Sequence, residues 1–219
     1  MKTISVIGAG TMGNGIAHCF AQKEFNVYLV DLSEETLKNA KKNIKKNLDR
    51  MVKKEIITER QSEETMDRII FSQNLNQSVP NSDLIIEAVT ESKSIKLNIF
   101  KEIDSLCKEN AILASNTSSI SIKDIASVTQ RKDKVIGMHF MNPVPIMKLV
   151  EIIKTDETSQ ETIDQIIEIS LILNKKPVLV NDAPGFVANR ILLPMINEAI
   201  HTLSENVAGV EEIDTVMML

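Results

Sequence analysis

Tryptophan is absent from the 219 residues, aromatic side chains make up only 3%, and cysteine occurs twice. With so few flat rings the chain lacks stacking platforms for single-stranded nucleic acid, and its net charge of −5 argues against polyanions in general, so no nucleic-acid partner is expected. The opening MKTISVIGAG lacks a basic segment followed by a long apolar one, and no later run approaches the roughly 18 apolar residues of a membrane span. Secretion and membrane insertion are therefore not expected. Cys19 and Cys107 stand far apart with neither CxxC nor metal-ligand spacing, which suits reduced structural thiols in the cytoplasm and no metal site.

What is present is a 43% share of apolar residues arranged in alternating periods. Strand-like runs near 3–7, 26–31, 69–71, 83–89, 111–115 and 134–140 alternate with helical periods near 12–23, 33–56, 92–107 and 119–128. That order predicts an α/β fold, a Rossmann-type domain with a largely parallel sheet and a helical insertion near 33–68. Strands at 147–153 and 177–181 flank a helix at 159–174, and NDAPGF at 181–186 breaks the chain before an apolar helix at 186–205. We expect a dinucleotide-binding domain over 1–183 and the start of an all-α domain over 184–219, cut short because the last helix, beginning near Val210, ends on uncovered apolar residues.

Glycine is sparse at seven residues, yet three of them, Gly8, Gly10 and Gly13, fall in GAGTMG between a strand and a helix. Together with Ala9, Thr11 and Met12 they form a turn whose backbone can approach a pyrophosphate at a helix N-terminus. Asp31, closing the next strand 18 residues after Gly13, suits a ribose hydroxyl and would repel a 2′-phosphate, so NAD is expected rather than NADP.

Three further stretches carry chemistry. From Lys38 to Lys54 there are eight basic residues against one acid, with Lys42, Lys46, Arg50 and Lys54 on one helical face. Such a run is usually a solvated face, and a clamp for a multiply charged small molecule is the alternative. In GMHFMNPVPIMKLVEII, a reversal about Pro145 would set His139 opposite Glu151, since paired numbers then sum to 290. On these two residues alone, a core histidine satisfied by a buried glutamate is as good a reading as a catalytic pair. ASNTSSISI, at 114–122, clusters Ser115, Asn116, Thr117, Ser118 and Ser119 where the sheet's carboxyl edge should lie, the edge at which ligands of open α/β sheets bind; one of these hydroxyls is expected to cap a helix.

GAGTMG, Asp31, ASNTSS, GMHFMNPVPIMKLVEII and APGFVANRILLPMINEA together resemble the 3-hydroxyacyl-CoA dehydrogenase family, in particular its bacterial 3-hydroxybutyryl-CoA dehydrogenases. The resemblance covers the whole chain in order and implies an NAD-dependent oxidoreductase acting on 3-hydroxybutyryl-CoA or acetoacetyl-CoA. It implies His139 as general base, Glu151 as its orienting partner, and Ser118 and Asn189 as holders of the substrate oxygen. Glu91, Lys96, Ser118 and Asn142 correspond to positions beside the nicotinamide half of the cofactor, and Arg50 and Lys54 become candidates for coenzyme A phosphates. Members of the family continue for several tens of residues past position 219 with helices that contribute to a homodimer and close the cleft, so dimerisation is implied for the full-length family and not for this chain. Two other functions stay open: a non-catalytic NAD-binding module left by loss of the C-terminal domain, and a β-hydroxyacid dehydrogenase acting on a free acid, which would usually carry a lysine in a Gly-rich motif that is not found here.

Overall fold

A computed structural model describes residues 1–219. Strands β1 (Thr3–Ile7), β2 (Asn26–Val30), β3 (Ile69–Ser72), β4 (Leu84–Glu87), β5 (Ile112–Ser115) and β6 (Val135–Phe140) run parallel, and β7 (Leu149–Lys154) and β8 (Lys176–Asn181) run against them. The spatial order is β3-β2-β1-β4-β5-β6-β7-β8, so the direction of winding reverses between β1 and β4. In open α/β sheets that reversal leaves a crevice at the carboxyl ends of the strands.

Alternation along each strand divides the core into two layers. Ile4, Val6, Leu84, Ile86, Ile112 and Ala114 face the larger cluster, shared with α1 (Thr11–Gln22) and α2 (Glu34–Lys53). Ile85 and Leu113, one residue out of phase, face the smaller cluster with Phe100 and Ile103 of α5 (Lys93–Leu106). Both faces are covered, which is why these strands read as continuous apolar runs. In α2 the periodic Leu37, Ala40, Ile44 and Leu48 are buried and the lysines point outward.

The region read as one insertion contains two helices. Glu55 takes a left-handed conformation (φ 56°), and a second helix, α3 (Glu59–Asp67), starts at a capping box in which the Thr58 hydroxyl accepts the Gln61 N–H while the Gln61 side chain accepts the Thr58 N–H. A short α4 (Leu75–Ser78) also escaped the periodicity, being too brief to show one. The helix expected at 119–128 shrinks to α6 (Ile122–Ala126), because Thr117 to Ser119 are held in a loop by Glu91 and Ser121 supplies the cap.

After α7 (Gln160–Ile172) and β8, residues 184–187 turn sharply, with Gly185 at φ 77° and Phe186 at φ 48°, so the next helix α8 (Ala188–Ser204) starts two residues later than expected. Neither α8 nor α9 (Val210–Met218) buries a residue, and Met195, Ile196, Ile200, Leu203, Val210 and Met217 line an open apolar groove of about 310 Å³ between them. No helix is long and apolar enough to cross a membrane.

Candidate active site

The glycine turn sits at the carboxyl end of β1, beside the winding reversal. Gly8 has φ +99° and lies against the Ala88 carbonyl, 2.6 Å from where a Cβ would stand, and a Cβ at Gly13 would meet the Gly8 carbonyl oxygen at 1.7 Å. Gly10 differs: a Cβ there would meet nothing within 4 Å. Its bareness serves no protein contact and leaves open space at the start of α1, whose first turn has no side-chain cap. The site therefore fits the pyrophosphate of a dinucleotide. Asp31 is oriented beside it, its two carboxylate oxygens accepting the N–H groups of Ala9 (2.8 Å) and Ser33 (2.9 Å).

Gly8, Gly10 and Asp31 line a cleft of about 560 Å³ that also takes in Leu32, Leu75, Ile95 and Ile99. No Lys or Arg lines it. Lys38, the nearest basic residue in sequence, is paired with Glu34 at 2.8 Å. A cleft lined by Asp31 and by no basic side chain agrees with NAD rather than a 2′-phosphorylated cofactor.

The β6–β7 pairing places His139 directly opposite Glu151, the register that sums to 290. Both are buried, at 6% and 2% exposure. Glu151 Oε2 lies 2.8 Å from His139 Nδ1, and Oε1 accepts the N–H groups of Val187 and Ala188, both at 3.0 Å, at the start of α8. A carboxylate there is stabilised by the helix N-terminus. A carboxylate offers only acceptors, so Nδ1 carries the hydrogen shared with Glu151, and in a neutral imidazole Nε2 then presents its lone pair. That nitrogen faces the Ser118 hydroxyl at 3.0 Å, and the Phe186 ring packs against the imidazole with centroids 5.7 Å apart.

Ser118 is fixed by a loop gathered around Glu91. One oxygen of Glu91 accepts hydrogen bonds from the Thr117 and Ser119 hydroxyls (2.5 and 2.8 Å) and from the N–H groups of Ser118 and Ser119 (2.9 and 3.0 Å). Burial would raise this carboxyl, but these bonds and the Lys96 charge outweigh it and hold its pKa below the usual range. Asn189, at the start of α8, donates to the Ser118 carbonyl at 3.4 Å. Ser118, His139, Glu151, Glu91 and Asn189 thus converge.

The remaining sequence candidates are placed differently. Lys96 is only 1% exposed; its ammonium is bonded to Glu87 at 2.6 Å and reaches Glu91 at 3.3 Å, so it meets the loop through Glu91 and is not an open cation. Arg50 and Asn142 line one cleft of about 240 Å³ with Thr11, Asn14 and Lys46, while Lys54, the cap residue ending α2, is not among its lining residues. Sequence reading missed Glu87, buried at the end of β4. The signal was available, since a lone carboxylate closes the apolar run LIIE much as one interrupts LVEII.

Fold and site together define an NAD-dependent dehydrogenase of the Rossmann type. Residues 3–183 match the family profile "3-hydroxyacyl-CoA dehydrogenase, NAD binding domain", and residues 185–219 match "3-hydroxyacyl-CoA dehydrogenase, C-terminal domain". The chain is 47% identical over 219 residues to a probable 3-hydroxybutyryl-CoA dehydrogenase of Bacillus subtilis, covering all of this chain and 76% of that protein. It is 42% identical over 224 residues to the human mitochondrial hydroxyacyl-coenzyme A dehydrogenase, covering 71% of it. The crystal structure of (S)-3-hydroxybutyryl-CoA dehydrogenase from Ralstonia eutropha superimposes with a TM-score of 0.97 at 46% identity, over all of this chain and 77% of that one. The chain belongs to the 3-hydroxyacyl-CoA dehydrogenase family.

Proposed function

We propose that the protein interconverts (S)-3-hydroxyacyl-CoA and 3-oxoacyl-CoA with NAD in the cytoplasm, with 3-hydroxybutyryl-CoA and acetoacetyl-CoA as the substrate pair. The observation that carries this reading is how the two ring nitrogens of His139 are placed: Nδ1 bonds Glu151, and Nε2 faces the Ser118 hydroxyl at the carboxyl edge of the sheet. In oxidation, Nε2 takes the proton of the C3 hydroxyl while the C3 hydrogen leaves as hydride and the C–O bond becomes a carbonyl. NAD, held at the glycine turn and by Asp31, supplies the hydride acceptor. Glu151 stabilises the imidazolium so formed. In reduction, the imidazolium returns the proton as Ser118 and Asn189 donate hydrogen bonds to the developing alkoxide.

The arrangement favours an enzyme over a bare binding module, because dinucleotide binding alone gives no reason to bury a histidine–glutamate pair across two strands. It also favours the thioester over a free acid: the ammonium beside the site, Lys96, is buried against Glu87 and is not placed to act as a catalytic lysine. Residues 1–183 would bind the dinucleotide, and 184–219 would begin the helical unit that supplies Asn189 and Phe186. Arg50, with Lys46 in the adjoining cleft, would meet the phosphates of coenzyme A. The test is oxidation of NADH with acetoacetyl-CoA, beside NADPH and free acetoacetate. Turnover with the thioester and NADH is expected; equal turnover with free acetoacetate, or binding of NADH with no turnover, would overturn the substrate or the catalytic reading respectively.

A further inference from the structure

Glu87, which the mechanism above does not use, belongs to a closed circuit of hydrogen bonds beneath Ser118. Its Oε1 accepts the Lys96 ammonium at 2.6 Å and the Val89 N–H at 2.7 Å, and its Oε2 accepts the Ser115 hydroxyl at 2.6 Å. Ser115 Oγ in turn accepts the Thr117 N–H at 3.2 Å, Thr117 donates to Glu91, and Glu91 closes the circuit on Lys96. Both carboxylates only accept, so the circuit holds two negative charges and one positive. Glu87 and Lys96 are sealed from water, at 0% and 1% exposure, while Glu91 is 40% exposed and bonded to the Ser118 backbone.

On the functional reading, the surplus negative charge stands beside the part of the cofactor whose own charge changes. Hydride transfer requires the nicotinamide ring and the substrate carbon to touch, and proton transfer requires that carbon's oxygen to lie at His139 Nε2, next to Ser118. The ring is cationic in NAD⁺ and neutral in NADH. We propose that the Glu87–Lys96–Glu91 circuit is a charge-selecting element of the cofactor site, favouring the oxidised ring over the reduced one through its single surplus negative charge. The proposal rests on the functional reading above. A unit charge beside a partly buried site changes a binding ratio by about three- to tenfold.

The test measures dissociation constants of NAD⁺ and NADH by titration calorimetry, without substrate. Glu87→Gln and Glu91→Gln each neutralise the circuit and should raise the ratio of the NAD⁺ constant to the NADH constant by about three- to tenfold. Glu87→Gln/Lys96→Met restores a net charge of minus one while removing more hydrogen bonds, and its ratio should return toward that of the wild type. Unchanged ratios in both single variants, or a double variant displaced further than Glu87→Gln, would overturn the proposal in favour of a purely structural circuit. Should the buried variants fail to fold, Glu91→Gln, outside the core, decides alone. A wild-type chain that binds neither form would instead refute the functional reading itself.

Discussion

Replacing Glu151 with glutamine sets two demands against each other at one buried side chain. The carboxylate serves three donors, His139 Nδ1 at 2.8 Å and the Val187 and Ala188 N–H groups at 3.0 Å each. Glutamine offers one oxygen and one NH₂, so it satisfies one side only. Turning the NH₂ toward α8 would face it against two partly buried N–H groups and leave both without an acceptor. Turning it toward the histidine costs less, because imidazole can move its proton from Nδ1 to Nε2 and accept at Nδ1. The second arrangement wins, and it removes the Nε2 lone pair that the proposed mechanism requires to take the substrate proton. Turnover should fall by two to four orders of magnitude, as about ten-thousand-fold losses from a wrong tautomer show. Stability should drop by only about 1–3 kcal/mol, as a charge-assisted bond is replaced by a neutral one. Steady-state turnover, urea unfolding and NADH affinity separate these effects. Turnover within threefold of the wild type, with the chain folded, would refute the assignment of the tautomer.

Other predictions follow from single contacts. Gly10→Ala should fold with unchanged stability yet lose dinucleotide affinity at least tenfold, whereas Gly13→Ala should lower the melting temperature as well, because its Cβ would stand 1.7 Å from the Gly8 carbonyl oxygen; calorimetry and thermal melts distinguish them. His18, fully buried in α1 with neither ring nitrogen hydrogen-bonded, is held at a pKa of about 4 by burial and by the Lys175 charge. An unfolded histidine titrates near 6.5, so the unfolded chain takes up a proton first, and stability present above about pH 6.5 is lost as pH falls toward 4, by about 3 kcal/mol. His18→Leu should flatten that slope, read from urea midpoints at pH 7 and pH 5; an unchanged slope would show that His18 does not set it. Arg50→Ala should raise the KM for acetoacetyl-CoA severalfold in a salt-dependent manner and leave that for NADH alone; a rise for NADH instead would place the phosphate clamp elsewhere.

Much of this architecture could be read in advance because its causes are local. Apolar runs and period-3.6 patterns exposed the strands and longer helices, and a reversal about Pro145 set His139 opposite Glu151, the pairing found between β6 and β7. The capping box at Thr58 to Gln61 was equally local and passed unread, so α3 was not distinguished within the insertion near 33–68. Other features depend on contacts between distant segments. Glu91 folds the 117–119 loop from 26 to 28 residues away, which shortened α6, and Glu151 receives the start of α8 from 36 and 37 residues away. The burial of Lys96 against Glu87 likewise followed from packing, since a lysine in an amphipathic helix reads as a surface charge until the strand beneath it is known.

The central claim is that His139 Nε2 moves the substrate proton. Its most direct test is single-turnover hydride transfer from pre-bound NADH to acetoacetyl-CoA, followed at 340 nm in the wild type and in His139→Ala, with NADH and substrate affinities measured in parallel. The account predicts transfer slowed at least a thousandfold with both affinities within a few-fold of the wild type. Transfer at an undiminished rate in the variant would contradict it and move the proton-handling group elsewhere in the cleft.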